Sequence, residues 1–222
     1  MWRINKNHIV SIIILIFSNS IVRSQNYVSF IDENKLWVDI SYGSISPTLS
    51  DFFGQTTYFK FSGDTLINAL TYKKLMFSED SMKTWEKKVC LREVDKKVFA
   101  PGGVYYDFDT KVGDTLVKGA FDVTYLSIIY YTYVVESIDS IVLFDGSKRK
   151  RTNFREITYG LKESLIEGLG YSRGMLLFGY FEMTDLLLCY FENDQLVYHN
   201  DKDSRLTECY YSTHTNEVRL KN

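Results

Sequence analysis

Proline and alanine are almost missing from this chain. Only Pro47 and Pro101 interrupt its 222 residues, and alanine, the best helix former, occurs at Ala69, Ala100 and Ala120 alone. Such a sequence has little from which to build long helices and no Pro-rich linker to divide it. Histidine and cysteine are scarce too, at three of each. Past residue 24 only His199 and His214 remain, and no CxxC spacing occurs, so a transition-metal site lacks ligands. No metal and no cofactor is expected. No apolar run reaches the roughly 20 residues that a membrane helix needs, since even Leu126 to Val135 is broken by tyrosines and followed by Glu136.

The first 24 residues read as an export signal. They have a basic start (Arg3, Lys6), an apolar run from Ile9 to Phe17, and small or polar residues at Val22-Arg23-Ser24. Cleavage is expected before Gln25, leaving 25–222 as one β-rich domain in the periplasm or outside the cell. The removed segment carries Arg3, Lys6 and Arg23 but no acid, so the formal charge goes from −2 to −5. That balance argues against nucleic acid or an anionic membrane surface as a partner.

What is abundant points to β structure, with 17 Tyr and 15 Phe, both strand formers. Alternation agrees: Thr57, Phe59 and Phe61 fall on one face of an extended chain, and Thr56, Tyr58 and Lys60 on the other. Further strand-like runs are Leu36 to Ile40, Val89 to Val94, Lys97 to Ala100, Val104 to Phe108, Val123 to Glu136 and Ile138 to Phe144. Met175 to Phe181, Leu186 to Phe191, Leu196 to His199 and Thr207 to Tyr211 complete the set. Asp145-Gly146 is the strongest hairpin signal and suggests a type I′ turn, with Asp95-Lys96 and Asn193-Asp194 as weaker examples. Gly-Asp-Thr-Leu at Gly63 to Leu66 and again at Gly113 to Leu116 reads as shared turn chemistry rather than a true repeat. Short helices are expected only at Ser78 to Lys88 and Lys162 to Glu167. The fold class is all-β, an antiparallel sandwich or barrel built of hairpins and meanders.

Three cysteines in an exported chain permit one disulfide and leave one thiol. Cys189 and Cys209 flank an expected strand, turn and strand near the C-terminus, whose third strand can run beside the first, and a bridge between them closes a short loop, worth about 3 kcal/mol if unstrained. Cys90 is then expected as a buried apolar residue.

No constellation of catalytic residues outweighs a structural explanation. Gly170-Tyr171-Ser172-Arg173-Gly174 fits the GxSxG pattern of a hydrolase nucleophile, with Asp194 and His214 following in hydrolase order. The elbow needs a strand before it and a helix after it, whereas Met175 to Phe181 reads as strand, so a loop is expected. Gly168-Leu169-Gly170 likewise lacks the strand and helix of a phosphate cradle. Asp107-Phe108-Asp109 with Asp114 resembles half of a calcium loop, but Lys111 and Val112 stand where a ligand and a glycine belong. A glycosidase carboxylate pair is not readable from spacing in a β fold. Lys148-Arg149-Lys150-Arg151, with Arg155, reads as a solvated strand edge. Paired tyrosines such as Tyr105-Tyr106 and Tyr130-Tyr131 read as half-buried strand residues that could stack on sugars only if exposed in a row.

Several segments in order carry a resemblance. They are Gly63-Asp64-Thr65-Leu66 then Tyr72-Lys73-Lys74-Leu75, Leu91-Arg92-Glu93 before Lys97-Val98-Phe99, and Tyr106-Asp107-Phe108 before Val112-Gly113-Asp114-Thr115. Ile138-Asp139-Ser140-Ile141, Arg149-Lys150-Arg151, Ile166-Glu167-Gly168-Leu169-Gly170 and Leu187-Leu188-Cys189-Tyr190 follow. Together the chain resembles a family of secreted proteins of gliding and gut-dwelling Gram-negative bacteria. The resemblance implies a β-rich exported domain and the Cys189–Cys209 pairing, but no activity. Longer members look like type IX secretion cargo with a C-terminal sorting domain; this chain shows none up to Asn222. Where the family usually has tryptophan, Leu165 stands. The expected function is therefore noncatalytic binding of an extracellular glycan or protein. A β-barrel carrier of a small apolar ligand is the alternative, and a serine hydrolase using Ser172 comes third.

Overall fold

The computed structural model describes residues 26–44, 52–122, 127–175, 184–201, 204 and 206–210. The expected leader, its expected cut before Gln25, His214 and most of the expected strand at Met175 to Phe181 lie outside them. No helix occurs among the described residues. Thirteen strands follow one another: β1 (Lys35–Ser44), β2 (Phe52–Ile67), β3 (Leu70–Ser78), β4 (Glu86–Val94), β5 (Lys97–Ala100), β6 (Gly103–Asp107) and β7 (Thr115–Asp122), then β8 (Ser127–Val142), β9 (Lys148–Glu156), β10 (Lys162–Ile166), β11 (Gly170–Tyr171), β12 (Thr184–Glu192) and β13 (Gln195–His199). They form two open antiparallel sheets, ordered β13-β12-β1-β2-β3-β4-β5-β6 and β11-β10-β9-β8-β7. Of the two expected architectures this is the sandwich.

Side-chain alternation builds the interior. Trp37 of β1, Phe59 and Phe61 of β2, Leu75 of β3 and Leu91 of β4 meet Val135 of β8, Phe154 of β9 and Leu165 of β10 in one buried cluster. The expected two faces of β2 are confirmed, because Tyr58 joins a second cluster with Val38, Ile40, Leu186 and Leu188, while the Lys60 ammonium lies 4.1 Å from the Trp85 ring centre. Phe30 sits at the middle of the interior, with ring centres of Trp37, Tyr106 and Phe61 at 5.3, 4.7 and 5.8 Å. It reaches that place on a segment that belongs to no strand. The Glu93 carboxylate of β4 holds the segment, accepting hydrogen bonds from the Phe30 and Ile31 N–H groups at 3.0 and 2.9 Å, from Ser29 Oγ at 2.5 Å, and from the Tyr27 hydroxyl. Gly168 and Gly170 make room for it. A Cβ at Gly168 would lie 3.0 Å from Val28 Cγ1, and one at Gly170 would lie 3.1 Å from Phe30 Cε2, both at positive φ.

Several local expectations are corrected. The segment expected as a helix at Ser78 to Lys88 is the end of β3, a loop and the start of β4. Asp80 accepts the Lys83 and Thr84 N–H groups at 3.1 and 2.9 Å, and Ser81 and Met82 take positive φ, so local side-chain bonds displace the helix. Lys162 to Glu167 is mostly β10, because Glu163 and Leu165 are buried with the period of a strand. Thr207 to Cys209 form no strand, and β8 runs unbroken through Glu136, where the register shifts between Val135 and Ser137. The basic run is no solvated edge: β9 lies between β8 and β10, Arg149 is buried against Glu192 at 3.2 Å, and Arg151 pairs with Asp139 at 2.7 Å. The two Gly-Asp-Thr-Leu copies differ, one being a register shift inside β2 and the other the entry to β7.

Turn chemistry also departs from the reading. Asp145 is not among the residues with positive φ; Gly146 alone is, at 80°, and its N–H donates to Leu143 C=O at 2.9 Å. That is a type I turn followed by a left-handed glycine. The paired positive φ values of a type I′ hairpin occur at the two weaker candidates, Asp95-Lys96 (50° and 64°) and Asn193-Asp194 (50° and 63°), and also at Asn68-Ala69 (52° and 62°), which was not expected. Cys189 and Cys209 are bonded with Cα atoms 5.7 Å apart, and Cys90 is free and buried, as expected.

Two outcomes are expected in urea unfolding. Phe30→Ala removes the ring on which four aromatic neighbours converge and destabilises the protein by about 3–5 kcal/mol. Ala69→Gly relieves a left-handed alanine and completes the preferred Asn-Gly pair, so it stabilises by up to about 1 kcal/mol.

Candidate functional site

A cleft of 260 Å³ opens where β13 meets the small sheet. Cross-strand pairing explains its wall. Asp139 and Arg151 are opposite each other on β8 and β9, Arg151 is opposite Ile166 on β10, and Ile141 is opposite Arg149, so these side chains share one face. The other face of the same sheet carries Val135, Phe154 and Leu165 into the interior. Ile141 and Ile166 thus give the cleft an apolar floor, and Val197 and Tyr198 of β13 close it from the large sheet.

Backbone bonds hold these parts in register. Phe144 N–H donates to Val197 C=O at 2.9 Å, which docks the β8–β9 turn on β13. Ser172 N–H donates to Ser164 C=O at 2.8 Å, Leu187 N–H to Ser172 C=O at 3.1 Å, and Asn200 N–H to Leu188 C=O at 2.7 Å. The docked turn leaves the Phe144 ring 67% exposed at the rim. Polar groups stand around it: Arg151, His199, Asn200 and Asp201. Arg151 is fixed by two bonds to Asp139, at 2.8 Å from Nε and 2.7 Å from Nη2, and so presents its remaining N–H groups in a set direction. Burial pushes the Tyr198 hydroxyl up to about 12, Asp201 adds to this and Arg151 opposes it, so the phenol is a neutral donor. His199 Nε2 is buried with no hydrogen-bond partner among the described residues.

The suspected hydrolase residues are only partly brought together. Ser172 lines this cleft, and so does His199. Ser172 Oγ accepts the Ser164 N–H at 3.3 Å, however, and no helix follows it among the described residues. Asp194 is a residue of the β12–β13 turn at positive φ, and His214 lies outside the described residues. The calcium-like acids serve other ends: Asp107 pairs with Lys97 at 2.8 Å and accepts the Asp109 N–H, and Asp114 accepts the Lys111 N–H. Sequence reasoning missed Arg151, Tyr198, His199 and Asn200 as site residues. The one readable signal was Phe144, a large apolar residue immediately before the Asp145-Gly146 turn.

On the far side of Ser172 the chain turns through Arg173 and Gly174 against a buried carboxylate. Asp39 Oδ2 accepts the Met175 N–H at 2.5 Å, while Oδ1 has no partner among the described residues. Gly174 is required there, since a Cβ would lie 2.9 Å from Asp39 Oδ2. Burial raises Asp39 to about 8, and Asp185, bonded by Ser41 Oγ, is raised by burial as well. Asp39 does not line the cleft, so this carboxylate pair is a feature of the interior.

Its pH signature follows from sign. A carboxyl raised in the folded state binds more protons than in the unfolded chain, so its contribution is complete below about 3.8 and is lost as pH rises through about 8. Asp39→Asn keeps an acceptor for Met175 and cannot ionise. Its stability should match the parent at pH 4 and exceed it at pH 9 by on the order of 1–3 kcal/mol in urea titrations.

No protein-family model and no curated protein matches the chain.

Proposed function

We propose that this chain is an exported β sandwich that binds an extracellular glycan in the cleft under the β8–β9 turn, without catalysing a reaction. The leader, the Cys189–Cys209 bond and the resemblance to secreted β-rich proteins support export. The observation that carries the binding reading is the lining itself. A sugar ring has an apolar C–H face and a rim of hydroxyls, and the cleft offers the exposed Phe144 ring beside Arg151, Asn200 and Asp201. A concave site with a few fixed polar groups on an apolar floor is where ligands orient.

The carrier alternative is less favoured, because the space between the sheets is filled by Phe30, Trp37, Phe61, Tyr106 and their neighbours. The hydrolase alternative is less favoured, because Ser172 Oγ accepts the Ser164 N–H at 3.3 Å and no helix follows Ser172 among the described residues.

A glycan screen followed by calorimetric titration tests the reading. Phe144→Ala should weaken the best ligand by about tenfold or more, some 1.4 kcal/mol, with the unfolding midpoint unchanged because the ring is largely exposed. Tyr159→Ala, at the opposite end of β9 and 72% exposed, should bind as the parent. Absence of any glycan ligand, or equal affinity of the Phe144→Ala protein, would sink the proposal.

A further inference from the structure

The outer face of the large sheet carries a second apolar cluster, remote from the interior. Val38 and Ile40 of β1, Tyr58 of β2, and Leu186, Leu188 and Cys189 of β12 are all buried in it, although this face looks away from the small sheet. A register shift puts the cysteine there. Val38 pairs with Cys189 and Asp39 with Leu187, which leaves Leu188 as an extra residue, so Leu188 and Cys189 both face outward while Leu187 and Tyr190 face the interior. Strict alternation would have sent Cys189 inward.

Residues 206–210 lie over this face, beside Trp85. None of them is in a strand. Leu206 is 2% exposed in the cluster, the Tyr210 ring stacks on Tyr58 with centres 6.4 Å apart, and Ser81 Oγ donates to the Tyr210 hydroxyl at 2.9 Å. Besides these contacts, the covalent bond from Cys209 to Cys189 ties the segment to β12.

We propose that residues 206–210 form a redox-operated strap. Oxidised, it covers the apolar face of β1, β2 and β12; reduced, it lifts and presents that face, while the interior stays folded. The chain then carries an apolar surface in a reducing compartment that it loses in an oxidising one. Closure proceeds by thiol–disulfide exchange with a disulfide oxidant such as oxidised glutathione. The Cys209 thiolate attacks a glutathione sulfur, breaking that S–S bond and releasing one glutathione thiolate. The Cys189 thiolate then attacks Cys209 Sγ and expels the second. Two cysteine thiols thus lose two electrons and two protons, and one oxidant disulfide becomes two thiols. Cys90 does not compete for Cys189, being four strand positions away on β4, roughly 19 Å, beyond the reach of a bridge.

The test uses the purified oxidised protein, reduced under native conditions and alkylated. Expected are a several-fold rise in binding of an apolar fluorescent dye, faster amide exchange at 36–40 and 186–191, and unchanged protection at Phe59 and Leu75. Cys189 and Cys209 should be alkylated while Cys90, 8% exposed, stays unlabelled. Cys209→Ser should behave like the reduced protein without reductant. Unchanged dye binding on reduction would show that packing alone holds the strap. Labelling of Cys90, loss of protection at Leu75, or failure of the Cys209→Ser protein to fold would show a global staple. Each of these results overturns the proposal.

Discussion

The carboxylate of Glu93 is the contact on which the rest of the structure depends. It gathers the hydrogens of Tyr27, Ser29, Phe30 and Ile31, a stretch with no strand partners of its own, and so places the Phe30 ring between the sheets. Other polar groups reinforce this. Val28 N–H donates to Glu167 at 3.0 Å, and the Lys35 ammonium donates to the carbonyls of Ser29 and Gly168. Burial pulls Lys35 down to about 8, and Glu192, at 3.8 Å, opposes that pull. Glu192 also takes Arg149 and the Tyr190 hydroxyl, so the beginning of the described chain, the hairpin of the small sheet and the edge of the large sheet meet in one network. A buried network of this kind is costly when any member is missing, which makes the segment Tyr27 to Ile31 part of the core.

Register shifts do the work that turns and helices do elsewhere. The one at Leu188 directs Cys189 to the outer face, the one at Glu136 lets a single long β8 serve both the interior and the cleft wall, and the one near Val197 lets β13 put Val197 in the interior while Cys189 stays paired with His199. Each breaks strict period-2 alternation at one point. The consequence is functional, because a strand with perfect alternation could not supply core, cleft and disulfide together.

The cleft is a product of docking more than of any one element. Its aromatic rim comes from a turn, its floor from Ile141 and Ile166 at the margin of the interior cluster, and its far wall from an edge strand of the other sheet, joined by the bond from Phe144 N–H to Val197 C=O. Ser172 and His199 meet there by the same route, without the geometry of a nucleophile and its base. The GxSxG glycines have a packing explanation: Gly170 admits Phe30, and Gly174 admits Asp39.

Composition and periodicity determined a good deal by themselves. Abundant tyrosine and phenylalanine with almost no alanine or proline set an all-β chain, and the alternation of Thr56 to Phe61 assigned both faces of β2 correctly, because each side chain's face depends only on local backbone geometry. Cysteine number and spacing pointed to the Cys189–Cys209 bond, although no strand forms at Thr207 to Cys209. Tertiary structure decided what depends on partners distant in the chain: that Ser78 to Lys88 is a loop pinned by Asp80, that the basic run is an inner strand paired with Asp139 and Glu192, and that Asp145-Gly146 is no type I′ turn while Asn68-Ala69 is one beside the expected Asp95-Lys96 and Asn193-Asp194. It also decided the site. Arg151, Tyr198 and His199 carry no local mark of function, since they become neighbours only when two sheets dock, and docking is set by the summed burial of an interior to which every strand contributes.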